Sequence, residues 1–315
     1  MSLFEKTTVI VNPISGGRTD KKKIVSKLID SFPGNGGPID VRYTTHRGEA
    51  TKLAQQAVDK KVDLVIVVGG DGTVNEVGSA LVNSEVALAI IPQGSGNGLS
   101  RSLKIPRNVD KACKLISEGV VSEIDVGKAN ERYFFILAGV GFDAVVGKKF
   151  DEYPKRGPLP YFYLGVKEYF RYHHEEVKIS FDNKTFEIKP FEIVVANSPQ
   201  YGNNAIIAPR AKLNDGLLDI CIVHRLTFLQ LFTDLYKLFT GGLERFSEVD
   251  FYNSQTIWIE RPAPNLINID GEPVWEEAAV KISILPKALK IITPRDCPAL
   301  LHEIDRDFYQ IPSAR

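Results

Sequence analysis

Two glycine-rich runs carry the residue types that can hold an anion. The first, Gly69-Gly70-Asp71-Gly72-Thr73, follows the apolar run Asp63 to Val68 and precedes a helix-like segment from Val74 to Leu81. Glycines let a backbone come close to phosphate oxygens. A helix beginning just after them points its first N–H groups and the positive end of its dipole at the anion. Asp71 is placed either to hold a metal-bound phosphate or to organise the loop. A plain strand-to-helix turn capped by an Asp is the structural alternative, yet the carboxyl end of a strand is where open α/β sheets bind ligands. The second run, Pro92-Gln93-Gly94-Ser95-Gly96-Asn97-Gly98, again lies between a strand-like and a helix-like segment. Ser95 has a hydroxyl to donate to a phosphate oxygen, and Asn97 has groups for phosphate, ribose or the neighbouring loop. Neither run is a G-x-x-x-x-G-K-[ST] loop, and no strand-linked G-x-G-x-x-G marks a dinucleotide site; Gly139 to Phe142 lies in the wrong context for one.

The elements that must position these runs alternate. Val9 to Val11, Val41 to Thr44, Asp63 to Val68 and Val86 to Ile91 read as strands. Between them, Lys21 to Ile29 and Gly48 to Val58 carry apolar residues at helical spacing, the latter as Ala50, Leu53, Ala54, Ala57 and Val58. Strands alternating with helices imply crossover units and a parallel sheet. An α/β domain is expected over residues 1–122.

Beyond it the pattern becomes a series of short strands. Candidates are Tyr133 to Leu137, Val177 to Phe181, Thr185 to Lys189, Phe191 to Val195, Leu217 to Val223, Thr256 to Glu260, Leu266 to Ile269 and Ala279 to Leu285. Asp182-Asn183 and Asn214-Asp215-Gly216 punctuate them. An antiparallel β-sandwich is expected over residues 123–285, with 286–315 returning toward the first domain. Tyr161 to Tyr172 is apolar almost all round, and Phe228 to Phe239 confines its polar residues to one stripe. Such faces need covering by protein or lipid. The first reads as lining an acyl-chain pocket or packing on the sandwich, the second as facing a bilayer or packing likewise.

The chain has 315 residues, 43% hydrophobic and 25% charged, with Lys+Arg and Asp+Glu both 39. Two cores can be filled, and no global field steers the chain to nucleic acid. Cys113, Cys221 and Cys297 lie far apart, which predicts reduced thiols in a cytosolic protein. No apolar h-region precedes the first strand, so no secretory signal is expected, nor is any span of about 18 uncharged apolar residues present. The histidines show no metal-ligand spacing.

Taken together, these motifs resemble the diacylglycerol kinase catalytic-domain family, which includes bacterial lipid kinases, sphingosine kinases and ceramide kinases. The resemblance rests on Val11-Asn12-Pro13 with Ser15-Gly16-Gly17, GGDGTVNEV at Gly69 to Val77, PQGSGNGLSRSL at Pro92 to Leu103, and GVGFDA at Gly139 to Ala144. It extends through Ala208-Pro209 to Asp219 and Asp270-Gly271-Glu272. It implies an active site between an α/β domain and a β-sandwich. By the same resemblance, ATP contacts fall on Asn12, Thr44, Gly70, Asp71, Gly72, Thr73, Asn75, Glu76, Gly94 and Ser95. Glu272 corresponds to the family's proton acceptor, and the Asp215 side chain with the carbonyls of Leu218 and Ile220 to a Mg²⁺ site. Bacterial diacylglycerol kinases usually carry Thr and Asp where this chain has Ser95 and Gly98, a pattern closer to sphingoid-base and ceramide kinases.

The implied function is an ATP-dependent lipid kinase of phospholipid metabolism that phosphorylates a lipid hydroxyl of diacylglycerol, sphingoid-base or ceramide type. Kinase chemistry needs in-line delivery of that hydroxyl, with metal and dipoles neutralising the developing charge. In this reading Asp71 and Glu272 are the catalytic carboxylates. Asp71 organises Mg²⁺, directly or through water, and Glu272 takes the proton. A solvated turn at Asp270-Gly271-Glu272 and a type I turn at Asp215 are the structural alternatives. Rival functions are an NAD kinase-like or sugar kinase, which also use a Gly-Gly-Asp-Gly loop, and a catalytically silent nucleotide- or lipid-binding protein. A cytoplasmic protein with peripheral contact at the inner membrane surface is expected, a homodimer included among its states.

Overall fold

The computed structural model describes residues 4–17, 19–31, 37, 39–154, 158–202, 205–228, 230 and 242–300. The first third alternates as β1 (Thr7–Val11), α1 (Lys21–Ser31), β2 (Ile39–Tyr43), α2 (Glu49–Asp59), β3 (Leu64–Gly69), α3 (Asp71–Leu81) and β4 (Ala87–Pro92). The strands pair in parallel in the order β2-β1-β3-β4. Every residue of β3 and β4 is buried, as continuous apolar runs covered on both faces require. Ala50, Ala54 and Ala57 form the inner face of α2. Two helices follow, α4 (Gly98–Ser102) and α5 (Val109–Glu118), the latter N-capped by the Asn108 side chain accepting from the Lys111 amide.

The rest is β-rich. It comprises β5 (Val120–Ala129), β6 (Arg132–Phe134), β7 (Leu137–Gly141), α6 (Phe142–Asp151), α7 (Pro158–Tyr169), β8 (Val177–Phe181), β9 (Lys184–Ile188) and β10 (Glu192–Ala196). After these come β11 (Gln200–Gly202), β12 (Ala205–Ile206), β13 (Leu218–Val223), β14 (Val249–Ser254), β15 (Thr256–Glu260), β16 (Asn265–Ile269), β17 (Glu272–Glu276) and β18 (Ala279–Thr293). An antiparallel sheet in the order β14-β13-β10-β7-β16-β17 forms one layer of a sandwich. Its core, with Ile193, Val195, Ile220 and Ile267, meets Ile179, Ile257, Ile259 and Ile282 of the layer containing β8, β15 and β18.

The strand expected over Ala279 to Leu285 runs on to Thr293. It bulges between Leu285 and Leu289, where Lys287 has φ 52°, and then aligns Ile291 in parallel with Leu88 of β4. Pro286-Lys287 therefore marks an irregularity inside a strand and not its end. The α/β layer and one sandwich layer thus share a single ten-stranded sheet.

The run Tyr133 to Leu137 divides into β6 and β7, because the amides of Phe135, Ile136 and Leu137 all turn to the Asp270 carboxylate. The helix α7 is exposed at Leu159, Phe162 and Tyr163 and buried at Leu164. The helix expected over Phe228 to Phe239 lies almost wholly outside the described residues.

Candidate active site

Beyond the carboxyl ends of β3 and β4 the two glycine loops touch. The Gln93 amide donates to the Gly69 carbonyl at 2.7 Å. A Cβ on Gly94 would stand 2.8 Å from Gly70 Cα, so a side chain there would force the loops apart. Asp71, the first residue of α3, turns its carboxylate onto the second loop. Oδ2 accepts the Asn97 amide and Oδ1 the Gly98 amide, both at 2.7 Å. Burial pushes its pKa up and those amides pull it down. These two bonds are the contacts of a loop organiser, one of the two roles open to Asp71. Asn97 is equally inward-looking: its side chain accepts from the Gly94 amide at 2.9 Å and donates to the Gly94 carbonyl at 2.6 Å. Ser95 stands exposed on the rim.

Around the first loop, Asn12 donates to the Thr73 hydroxyl at 2.9 Å, and buried Thr44 continues β2 through a 2.9 Å bond to the Val11 carbonyl. Lys21 went unnoticed in the sequence because it opens a run of three lysines. It is buried at the start of α1, donates to Gln93 Oε1 at 3.2 Å, and has its pKa lowered by desolvation. Its ammonium therefore lies against the second glycine loop.

Asn75 and Glu76, expected at the nucleotide, have protein partners. Asn75 Nδ2 donates to Asp270 Oδ2 at 2.9 Å and to the Tyr133 carbonyl at 3.2 Å. Glu76 accepts the Gly48 amide at 2.9 Å and the Ala50 amide at 3.2 Å, capping α2. Both hold the surrounding chain in place.

The opposite wall is the β16–β17 hairpin. Asp270 and Gly271 have φ of 50° and 90°, the geometry an Asp-Gly two-residue turn adopts readily. The Asp270 carboxylate accepts the amides of Phe135, Ile136 and Leu137 at 2.8–3.1 Å besides Asn75. Burial outweighs these donors and raises its pKa to about 6. So anchored, the turn lays Glu272 on the first glycine loop: a Cβ on Gly72 would stand 2.7 Å from Glu272 Oε1. The Glu272 carboxylate is half-buried and paired with Arg47. Desolvation pushes its pKa up, with Glu76 and Asp151 adding to the rise, while Arg47 opposes it.

Behind the hairpin lies a polar cluster with no obvious trace in the sequence. Asp143 accepts from the hydroxyls of Tyr161 and Tyr201 and from Asn268 Nδ2. Asn268 Oδ1 in turn accepts the Gly271 amide at 2.7 Å. Buried Glu192 takes the Asp143 amide at 2.8 Å, and burial next to Asp143 raises its pKa far above the carboxylate range. Tyr201 also explains Gly98. A Cβ at that position would stand 2.6 Å from Ile136 Cδ1 and 2.9 Å from the Tyr201 carbonyl, so the packing leaves no room for an Asp.

Of the expected metal residues, Asp215 lies beside Asp125, which bonds the bulge of β18. Asp215 accepts the Leu217 amide at 3.0 Å and is raised to about 6 by desolvation, with Asp125 contributing. Asp125, buried on β5, accepts the Gly216 amide at 2.6 Å and the Lys287 amide at 2.7 Å. Leu218 begins β13, whereas Ile220 is paired on both sides, against Val195 and Tyr252. Among the described residues no group of three or more His, Cys, Asp or Glu is arranged to hold a metal ion.

Residues 6–129 match the diacylglycerol kinase catalytic domain, and residues 137–293 the YegS C-terminal NAD kinase beta sandwich-like domain. The chain is 30% identical over 312 residues to a protein of Enterobacter sp. strain 638 named "Probable lipid kinase YegS-like", covering 95% of this chain and 100% of that protein. It is 30% identical over 278 residues to the diacylglycerol kinase of Bacillus subtilis strain 168, covering 85% of this chain and 90% of that one. A crystal structure of a diacylglycerol kinase from Bacillus anthracis strain Sterne superposes with a TM-score of 0.73 at 29% identity, covering 94% and 100% of the two chains.

Proposed function

The chain belongs to the diacylglycerol kinase catalytic-domain family, and on that premise we propose that its two glycine loops hold the triphosphate of ATP while Glu272 receives the proton of a lipid hydroxyl. The activity is that of an ATP-dependent lipid kinase. The observation that carries the residue assignment is the contact between Glu272 and Gly72, which sets a carboxylate of one domain on the anion loop of the other.

The first amides of α3 and the backbone of Gly70 to Thr73 face the phosphates, with Gly94 and Ser95 from the second loop and Asn12 and Thr44 beside the nucleotide. Asp71, Asn75 and Glu76 act one step back, by fixing the second loop, the hairpin and the β2–α2 linker. The acceptor oxygen bonds to the γ-phosphorus, the bond from phosphorus to the β–γ bridging oxygen breaks with its electron pair leaving on ADP, and the hydroxyl proton passes to Glu272. Desolvation of Glu272 favours this, since it raises the carboxylate's proton affinity.

Asp215 with Asp125, and the Leu218 carbonyl at the entry to β13, offer the hard oxygen donors that Mg²⁺ takes. Ile220 fits less well, because a carbonyl in mid-sheet is engaged by the ladder. Bound there, Mg²⁺ would neutralise buried Asp125 and half-buried Asp215 and brace the β18 bulge.

No helix among the described residues is long and apolar enough to cross a membrane. A water-insoluble substrate is then met at a bilayer surface. Leu159, Phe162 and Tyr163, 81%, 45% and 55% exposed on α7, supply the apolar contact. Tyr161 on the same helix reaches Asp143 in the cluster behind the hairpin. The test is γ-labelled ATP with a mixed lipid extract, and separately with NAD and fructose 6-phosphate. Label in an organic-soluble product is expected. Label in NAD or the sugar, or in no acceptor, sinks the reading.

A further inference from the structure

We propose that Arg47 is a ligand of the γ-phosphate of ATP, and that it exchanges this phosphate for the carboxylate of Glu272. The inference rests on the nucleotide site described above. Arg47 lies in the linker between β2 and α2, where its neighbours are pinned from both sides. The Thr44 amide donates to the Val11 carbonyl at 2.9 Å, the Thr45 amide to Glu49 Oε2 at 2.6 Å, and the Gly48 amide to Glu76 Oε1 at 2.9 Å. Glu76 belongs to α3, the helix that opens on the first glycine loop. The loop that faces phosphate and the backbone that carries Arg47 are therefore held in one frame.

The side chain itself is loosely held. It is 72% exposed, and it is ion-paired with Glu272, itself 44% exposed. Pairs this open to water hold weakly. The partner carboxylate rests on Gly72, so the guanidinium paired with it lies beside the loop proposed to meet the terminal phosphate. Rotation about side-chain bonds is enough to move it from one anion to the other. An arginine suits both, because its planar fork matches a carboxylate and a phosphate equally well.

Charge gives the exchange a direction. The charged groups facing Glu272 are Arg47 from the β2–α2 linker, Glu76 from α3 and Asp151 from the end of α6. Two of the three are acidic, and a triphosphate brought among them needs a cation. Arg47 is the cation of that set. When it turns to the phosphate, Glu272 loses the charge that holds its pKa down, and becomes a stronger base with nucleotide in place.

The experiment is calorimetric titration of the full chain, in Mg²⁺ buffer, with ADP and with β,γ-imido-ATP. Arg47→Ala is expected to weaken the triphosphate analogue about tenfold or more and ADP by less than about twofold, because ADP lacks the phosphate in question. Arg47→Lys should lose less. Glu272→Gln, which removes the competing anion, should tighten the analogue severalfold, and that gain should vanish in the Arg47→Ala, Glu272→Gln double variant. Equal losses for both nucleotides, no loss for either, or a Glu272→Gln gain that persists without Arg47 would overturn the proposal. A wild-type chain that bound neither nucleotide would overturn the nucleotide site as well, an outcome distinct from the others. Melting curves of each variant separate these results from misfolding.

Discussion

Asp71 and Asp270 show how an acidic residue in a phosphate-transfer motif can serve the backbone. Asp71 accepts two amides and Asp270 three, with a side-chain amide besides. Asn at position 71 offers one acceptor and one donor, so one of the Asn97 and Gly98 amides would face an N–H. Asp71→Asn is expected to cost about 1–3 kcal/mol of stability and to lower kcat by at least about tenfold, read by denaturant melts and initial rates. Unchanged values would remove the loop-organising role.

Asp270 carries a pH signature. Its folded pKa, about 6, lies above the ordinary 3.8. Its contribution to stability is therefore complete below about pH 4 and is lost as pH rises through 6. The stability of the wild type relative to Asp270→Asn should fall by about 2–3 kcal/mol between pH 4 and pH 7. A flat difference would mean that the amides hold the carboxylate at its ordinary pKa. The residue types at these positions were legible in the sequence. Their division of labour was not, because which carboxylate meets amides and which stays open depends on partners 26 to 195 residues away.

At the scale of elements, strict alternation of apolar runs and helical spacing made β1 to β4 and α1 to α3 readable, since each is defined by its own burial pattern. The strand β5 and helix α6 were harder. Val120 to Ala129 mixes exposed charge with buried positions along one long strand, and α6 starts directly from β7 at Gly141 with no loop to announce it. The helix α7, read from the sequence as lining an acyl-chain pocket or packing on the sandwich, turns Leu164 inward and Leu159, Phe162 and Tyr163 to solvent, a division its nearly all-round apolar pattern could not show. Leu159→Glu with Phe162→Glu is expected to reduce sedimentation with anionic vesicles severalfold while leaving the melting temperature within a few degrees, because exposed positions contribute little to the fold. Sedimentation equal to wild type would exclude α7 as the bilayer contact.

For the molecule as a whole, the glycine loops and the β16–β17 hairpin are held by two kinds of joint. One is covalent continuity in a shared sheet, where β18 lies between β15 and β4. The other is a set of side-chain contacts across the gap, Asn75 to Asp270 and Arg47 to Glu272. The sheet joint was not legible in the sequence, since nothing local to residues 286–293 says that they will continue β18 and meet β4.

That joint has a consequence for biosynthesis. The partner that covers the edge of β4 lies about 200 residues further along the chain, as Ile291 against Leu88, so a nascent chain carries an α/β layer with a bare, fully apolar strand at its margin until β18 has been made. Such edges invite association with other chains. A fragment of residues 1–129 should accordingly pellet on expression, and supplying residues 130–315 as a second polypeptide in the same cell should return it to the supernatant.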